Sequence, residues 1–350
     1  MGIERAFAAQ KVVSLPMIMK SARSTLKILL PLLLGGAILY WMYRDFDFQS
    51  VSHVLLHEMD WTWMLLSFPF GILAQAIRGW RWRQTLEPVG ERPRSSVAVN
   101  SIFLSYAASL VVPRIGEFTR CGVLQRWDGV SFPKALGTVV TERAIDTLLM
   151  LFITGVTIAF QMSTFGTFFE RTGTSLDTIL RGFSWAGWLV AGVCMLAVGV
   201  LAYFLLQRLS IYNKVKTTLQ GLWEGVSSLR QVHRPWLFVA LTLGIWLCYF
   251  LHYYLTFFCF DFTASLGIGC ALVTFVVGSI AVIVPTPNGA GPWHFAVKTM
   301  LILYGVADTQ ALYFVLIVHS VQTLLVVLLG IYAWIRLGFM RRSSGVRNCV

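Results

Sequence analysis

The chain has 350 residues, of which 57% are apolar and only 13% charged, with a mean hydropathy of +0.70. A water-soluble domain carries about a quarter charged residues, so a single soluble globule is excluded. The net charge of +12 would suit nucleic acid in a soluble protein; in a chain this apolar it reads instead as basic loops facing the cytoplasm and its anionic leaflet, with no nucleic-acid partner expected.

Apolar segments fall at about 27–43, 61–80, 97–113, 144–161, 184–206, 236–260, 268–284 and 311–335, with a shorter one at 293–304. Several approach the ~20 residues that cross a bilayer as a helix. They do not alternate as barrel strands would. The fold class expected is therefore an all-α polytopic membrane protein with about eight apolar helices. Five Lys or Arg precede Ile28, but the run that follows ends in YWMYR without a small-residue cleavage site. It reads as an uncleaved first span. Six scattered cysteines (Cys121, Cys194, Cys248, Cys259, Cys270 and Cys349) show no CxxC or metal-like spacing, so neither a disulfide frame nor a metal site is expected.

Basic residues in the loops set the sides. The basic arm 1–26 is expected inside. Loop 44–60 is acidic (Asp45, Asp47, Glu58, Asp60) and goes outside, and loop 81–96 (Arg81, Arg83, Arg92, Arg94) goes inside. Simple alternation would then put 114–143 outside, although it holds Arg114, Arg120, Arg126, Lys134 and Arg143. The conflict disappears if 97–113 enters from the cytoplasm and turns back at Pro113, and if 268–284 likewise turns back at Pro285. The expected topology is six full spans plus two re-entrant segments, with both termini cytoplasmic, in a bacterial inner membrane. One transmembrane domain would run over 27–335, with repeat halves at 27–161 and 184–335 and a cytoplasmic tail at 336–350.

The two turning points match locally. SLVVP (109–113) and AVIVP (281–285) each end an apolar run at a proline, 172 residues apart. An odd number of crossings in the first half inverts the second, and paired Pro/Gly-broken segments in an inverted repeat point to a transport site near the bilayer midplane. PTPNGAGP (285–292) has three prolines and two glycines in eight residues. Irregular backbone at membrane depth is tolerated only where protein or a water-filled cavity covers it.

Charge gathers after the first break: R-x-x-E-x-x-R (Arg114, Glu117, Arg120), then TERAID (141–146) leading into apolar residues. On a helix Glu142 and Asp146 share a face, and Arg143 can pair with Asp146. Arg114, Arg120 and Arg143 are candidates to offer guanidinium forks to a phosphate headgroup, with Glu117, Glu142 and Asp146 holding them. Read instead as solvated helix-end charges, the same residues have no such role. IRGWRWR (77–83) reads as an interfacial anchor with Trp at headgroup level, with a lipid contact through Arg78 or Arg81 as the lesser alternative. His252 and His319 read as hydrogen-bonded packing residues, while Lys298, following the second break, is a candidate substrate contact. No GxxxxGK[ST], HExxH or GxSxG occurs and no hydrolase-like carboxylate pair is evident, so neither cofactor nor nucleotide is expected.

PRIGEFTR, TERAIDTLLM and PTPNGAGPWHFAV together resemble the transmembrane region of lysylphosphatidylglycerol synthases and its free-standing flippase-like relatives, across roughly 20–335. The resemblance implies an integral membrane protein that moves or handles anionic or polyprenyl lipids. It carries over Arg114, Glu117, Arg120, Glu142, Arg143 and Asp146, with the turn Pro285, Gly289 and Gly291. Asn288 and His294 depart from relatives that show Gly and Glu there, which puts a shared substrate in doubt. The synthases' aminoacyl-transferase activity is not expected in a sequence ending at Val350. Three functions stay open: a lipid translocator, a membrane-embedded enzyme or enzyme subunit of lipid or glycolipid synthesis, and a non-catalytic scaffold. The partners expected are anionic membrane lipids, together with a second copy of the chain or a lipid- or glycan-synthesis enzyme.

Overall fold

The computed structural model describes residues 33–44, 48–161, 232 and 234–340. The basic arm 1–26, the span 184–206, most of the loop 207–235 and the tail beyond 340 lie outside the described residues. Among the described residues the chain is all-helical, without strands. Its elements are α1 (Leu33–Tyr43), α2 (Phe48–His53), α3 (Trp61–Leu86), α4 (Ser95–Val111), α5 (Ile115–Asp128), α6 (Phe132–Phe160), α7 (Pro235–Tyr254, continued as 3-10 helix to Cys259), α8 (Asp261–Ala264), α9 (Gly267–Ala281), α10 (Pro292–Leu303) and α11 (Asp308–Phe339). By length and composition three helices can cross a membrane: Phe132–Phe160, Pro235–Cys259 and Asp308–Phe339. Helices α4 and α9, with 17 and 15 residues, reach only about 25 and 22 Å at 1.5 Å per residue, short of the ~30 Å hydrocarbon core.

Local chemistry explains where these helices stop. Pro113 lacks an N–H and would clash with the carbonyl four residues back, and it drives Val112 into extended backbone (φ −129°, ψ 119°). Arg114 then takes φ 64°, a left-handed conformation unusual for a side-chain-bearing residue. Helix α5 starts at once and ends at Asp128, where Gly129 at φ 71° supplies the left-handed cap and its N–H reaches the Gln125 carbonyl at 3.1 Å. In the second break a 3-10 turn, Pro287–Gly289, holds Asn288 at φ 51° and Gly289 at φ 72°, and Gly291 follows at φ 91°.

Both breaks are the tips of helical hairpins. Helix α5 doubles back along α4: the Gly116 N–H donates to Ser109 Oγ at 3.2 Å, and Cys121 and Leu124 share a buried cluster with Ala98 and Ile102. Helix α10 doubles back along α9, with Trp293 and Val297 against Gly278. The first hairpin has its base at the end of the molecule where Arg94 meets Asp128 (2.7 Å), Lys134 meets Glu91 (3.2 Å) and the Trp127 indole N–H donates to the Leu337 carbonyl (2.8 Å). The second has its base near the opposite end, where the Asp60 N–H donates to the Cys259 carbonyl at 2.9 Å. The tips meet: Arg114 Nη2 donates to the Ile283 carbonyl at 3.3 Å. Helix α1 closes over the second tip, its Gly35 so near Ala290 and Gly291 that a Cβ on either glycine would crowd backbone oxygen.

Two helices are longer than the sequence suggests. Helix α3 continues through Leu86, so Arg81 and Arg83 lie on a helix rather than in a loop. Helix α6 begins at Phe132, with Pro133 in its first turn, and TERAID therefore lies well inside it. Arg, Glu and Ala are good helix formers, and nothing between Pro133 and Phe160 stops the helix. The aromatic core, with Tyr253, Phe257, Phe260 and Phe314, fills the end remote from Arg94 and Asp128.

At Gly116 a Cβ would collide with the Ser105 carbonyl oxygen and with Ser109 Oγ. Gly116→Val is expected to pry α5 off α4 and destabilise the fold by at least the ~1–3 kcal/mol of overpacking, read as a lower unfolding temperature in detergent.

Candidate functional site

Helices α3, α5 and α6 bring five ionisable side chains together away from water. Arg78 and Arg81 are three apart on α3 and face α6. Arg78 Nη1 donates to Asp146 Oδ2 at 2.9 Å, and Arg81 Nη1 donates to Asp146 Oδ1 at 2.8 Å. Arg81 Nη1 also lies 3.3 Å from Thr242 Oγ1 on α7, and its Nε makes an ionic contact with Glu142 Oε1 at 3.4 Å. From α5, Arg120 Nη1 donates to Glu142 Oε2 at 2.7 Å, its guanidinium stacked over the Trp82 ring at 4.6 Å. Side-chain exposure is 0–1% for Arg81, Arg120 and Glu142, and no more than 8% for Arg78 and Asp146. Lone charges could not persist there, and each is compensated by its neighbours.

The pairing differs from the expected one. Arg143 does not pair with Asp146, which is taken by Arg78 and Arg81. It donates instead through Nε to Glu117 Oε1 at 2.7 Å, in a pair with side chains 44% and 33% exposed. Among the described residues its terminal nitrogens make no hydrogen bond. Four arginines (Arg78, Arg81, Arg120, Arg143) thus face three carboxylates (Glu117, Glu142, Asp146), an excess of one positive charge.

Beside this network lies a cavity of about 540 Å3, inside the ~300–1,000 Å3 range of small-ligand sites. Arg78, Arg143 and Asp146 line one part of it, beside the Tyr106 and Tyr249 hydroxyls, which lie 2.7 Å apart. Met150 and Leu151 of α6 face Ile280 and Ile283 at the end of α9 across an apolar part. Asn288, His319 and Thr323 line the remainder, Asn288 Nδ2 donating to Thr323 Oγ1 at 2.7 Å and its carbonyl lying 3.1 Å from His319 Nε2.

The other residues expected at the site are spread around it. Arg114 links the two hairpin tips. Pro285, Gly289 and Gly291 shape the second tip, and His294 is buried beneath it, its ring 4.4 Å from that of His319. Lys298 stands apart, paired with Asp308 at 2.8 Å. His252 is held by the Ser67 carbonyl at 2.8 Å. The interfacial-anchor reading of IRGWRWR gives way to a buried one: Arg78, Arg81 and Trp82 are enclosed, and only Trp80 is exposed. The i, i+3 spacing of Arg78 and Arg81 puts both on one helix face, but only the fold sets that face against the opposite charges of Glu142 and Asp146 on a second helix.

A family model described as Lysylphosphatidylglycerol synthase TM region matches residues 28–330. The chain belongs to this family. It is a membrane protein, as its apolar helices require. Among curated proteins it is similar to Glycosyltransferase AglD of Haloferax volcanii, 24% identical over 289 residues, a match covering 74% of this chain and 46% of that protein. The chain thus spans about half the length of the curated relative it matches. No solved structure matches it.

Asp146→Asn is expected to strip Arg78 and Arg81 of their shared carboxylate, at roughly the 3–5 kcal/mol of a broken buried pair. Arg143→Ala, in a half-exposed pair screened by solvent, should change stability by no more than about 1 kcal/mol. Thermal unfolding of the two variants in detergent checks both.

Proposed function

We propose that this protein is a lipid translocator in a bacterial inner membrane and that its cavity takes the phosphate of an anionic phospholipid or polyprenyl-linked lipid. The observation that carries the reading is the cavity itself, whose wall is positive at one end through the excess arginine and apolar where Met150 and Leu151 meet Ile280 and Ile283. An anionic lipid presents the complementary pattern. Arg143 offers two guanidinium nitrogens that bond nothing among the described residues, a planar fork suited to phosphate, while Glu117 orients it from the other side.

The hairpins supply a route for movement. Their bases lie at opposite ends and their tips meet, which supports reading the two halves as an inverted-topology repeat around a midplane site. Among the described residues the tips are joined by the hydrogen bond from Arg114 to the Ile283 carbonyl, and two left-handed non-glycine residues, Arg114 and Asn288, mark the turns. Backbone held in sparsely populated conformations recurs where a structure must switch. In this reading the tips part and re-form around the lipid, and the cytoplasm lies beyond the Arg94–Asp128 end.

A second reading, an accessory subunit or enzyme of glycolipid synthesis, is favoured by the glycosyltransferase name of the relative. Against an acid–base role, Glu142 and Asp146 are already engaged by guanidinium groups. A strain deleted for the protein separates the readings: a missing lipid species favours synthesis, and a complete inventory with altered leaflet distribution favours translocation.

The direct test is reconstitution in liposomes with dye-labelled polyprenyl phosphate and phosphatidylglycerol, followed with an outer-leaflet quencher. Wild type should move the anionic lipid across the bilayer, and Arg143→Ala should slow this at least about tenfold while still folding. Movement unaffected by the substitution, or none at all, counts against the reading. For sidedness, Gln125→Cys in intact cells should resist a membrane-impermeant thiol reagent and react after lysis; labelling from outside would overturn the re-entrant placement of α4 and α5.

A further inference from the structure

The cavity has a second chemical pole. Its charged lining residues, among those described, are Arg78, Arg143 and Asp146; the rest of its polar lining is neutral. One turn before Arg78 on α3, Gln75 faces the same space. It is 5% exposed, makes no side-chain hydrogen bond among the described residues, and its Oε1 is fully enclosed. On α7 the Trp246 indole N–H is also enclosed, without a partner among the described residues. Asn288, Thr323 and His319 complete this pole, braced by the bonds among them, and the Trp293 ring lies 5.2 Å from that of His319.

An unpaired buried amide and indole N–H are costly in apolar surroundings, so whatever fills this pole must supply both donors and acceptors. An acyl chain supplies neither. A second phosphate or an ammonium would want opposite charge, which this pole lacks. A hydroxyl both donates and accepts, and amides that present both functions are its natural partners. Aromatic faces such as Trp293 suit the C–H side of a sugar ring. Gln75 and Arg78 are three residues apart, a rise of about 4.5 Å, so the hydroxyl-bearing group must be attached directly to the phosphate.

We infer that the substrate is a phosphate-linked glycolipid, its phosphate at Arg78 and Arg143 and one sugar ring at Gln75 and Trp246. The inference rests on the phosphate-handling reading above and narrows it to a glycosylated headgroup.

The test measures affinities of the full chain in nanodiscs for three probes: a polyprenyl phosphate, the same lipid with one hexose on its phosphate, and hexosyl diacylglycerol, which has the sugar without the phosphate. Wild type should prefer the hexosylated phosphate over the bare phosphate by at least about tenfold, as sites built to bond a hydroxyl discriminate against ligands lacking it. Gln75→Met and the milder Trp246→Phe, which keeps its ring and loses only the N–H, should each bring that ratio towards one. A wild-type ratio near one, or a ratio unmoved in both variants, overturns the sugar pole and leaves the phosphate reading standing. Hexosyl diacylglycerol binding as tightly as the hexosylated phosphate would do the reverse, sparing the sugar pole and removing the phosphate. No binding of any probe overturns both.

Discussion

Charge buried in a membrane domain has to be paired by the protein itself, and in this chain that constraint fixes how three helices meet. Asp146 accepts from Arg78 and Arg81, and Glu142 from Arg120, while Arg81 lies between both carboxylates. Withdrawing Asp146 would strand Arg78 and withdrawing Glu142 would strand Arg120, because the solvation lost on burial is returned only by the partner. The network therefore ties the second half of α3, the middle of α5 and the middle of α6 into one unit. It also leaves the free edge of Arg143 at the cavity.

A second constraint comes from the backbone. Pro113 and the proline- and glycine-rich 285–292 stretch leave N–H and C=O groups that lipid cannot satisfy. The protein solves this by folding each break into a hairpin tip and placing the tips against one another, with α1 over the second. The Arg114 guanidinium meets a freed carbonyl at Ile283, and the Asn288 carbonyl meets His319. The space that results is walled by side chains from α3, α6, α7 and α11, and its polarity changes along its length from guanidinium to amide and indole.

Much of the fold could be read from the one-dimensional pattern. Apolar runs gave the helices, because a helix that spans or nearly spans lipid must be apolar over a length set by the bilayer. The breaks at 113 and 285 were legible because proline removes a donor and glycine admits left-handed backbone, whatever surrounds them. Positive loops that refused to alternate suggested that two apolar segments turn back, at Pro113 and Pro285, and in the structure α5 folds back along α4 and α10 along α9. Helix ends were read less well: α3 extends about two turns and α6 about three turns beyond their apolar cores, because arginines and carboxylates that pair with each other have no need to reach water.

By itself the sequence determined a helical membrane protein, two broken helices and a cluster of arginines and carboxylates near the first break, since hydropathy, proline chemistry and loop charge act locally. Only the tertiary structure decided which charge meets which. Arg78 and Arg81 lie 68 and 65 residues before Asp146, and nothing in local spacing distinguishes an arginine snorkelling to the headgroups from one facing a carboxylate on another helix. The neutral part of the cavity was equally hidden: Gln75, Trp246 and Asn288 are ordinary in their own segments and come together only where several helices and the second hairpin tip line one space.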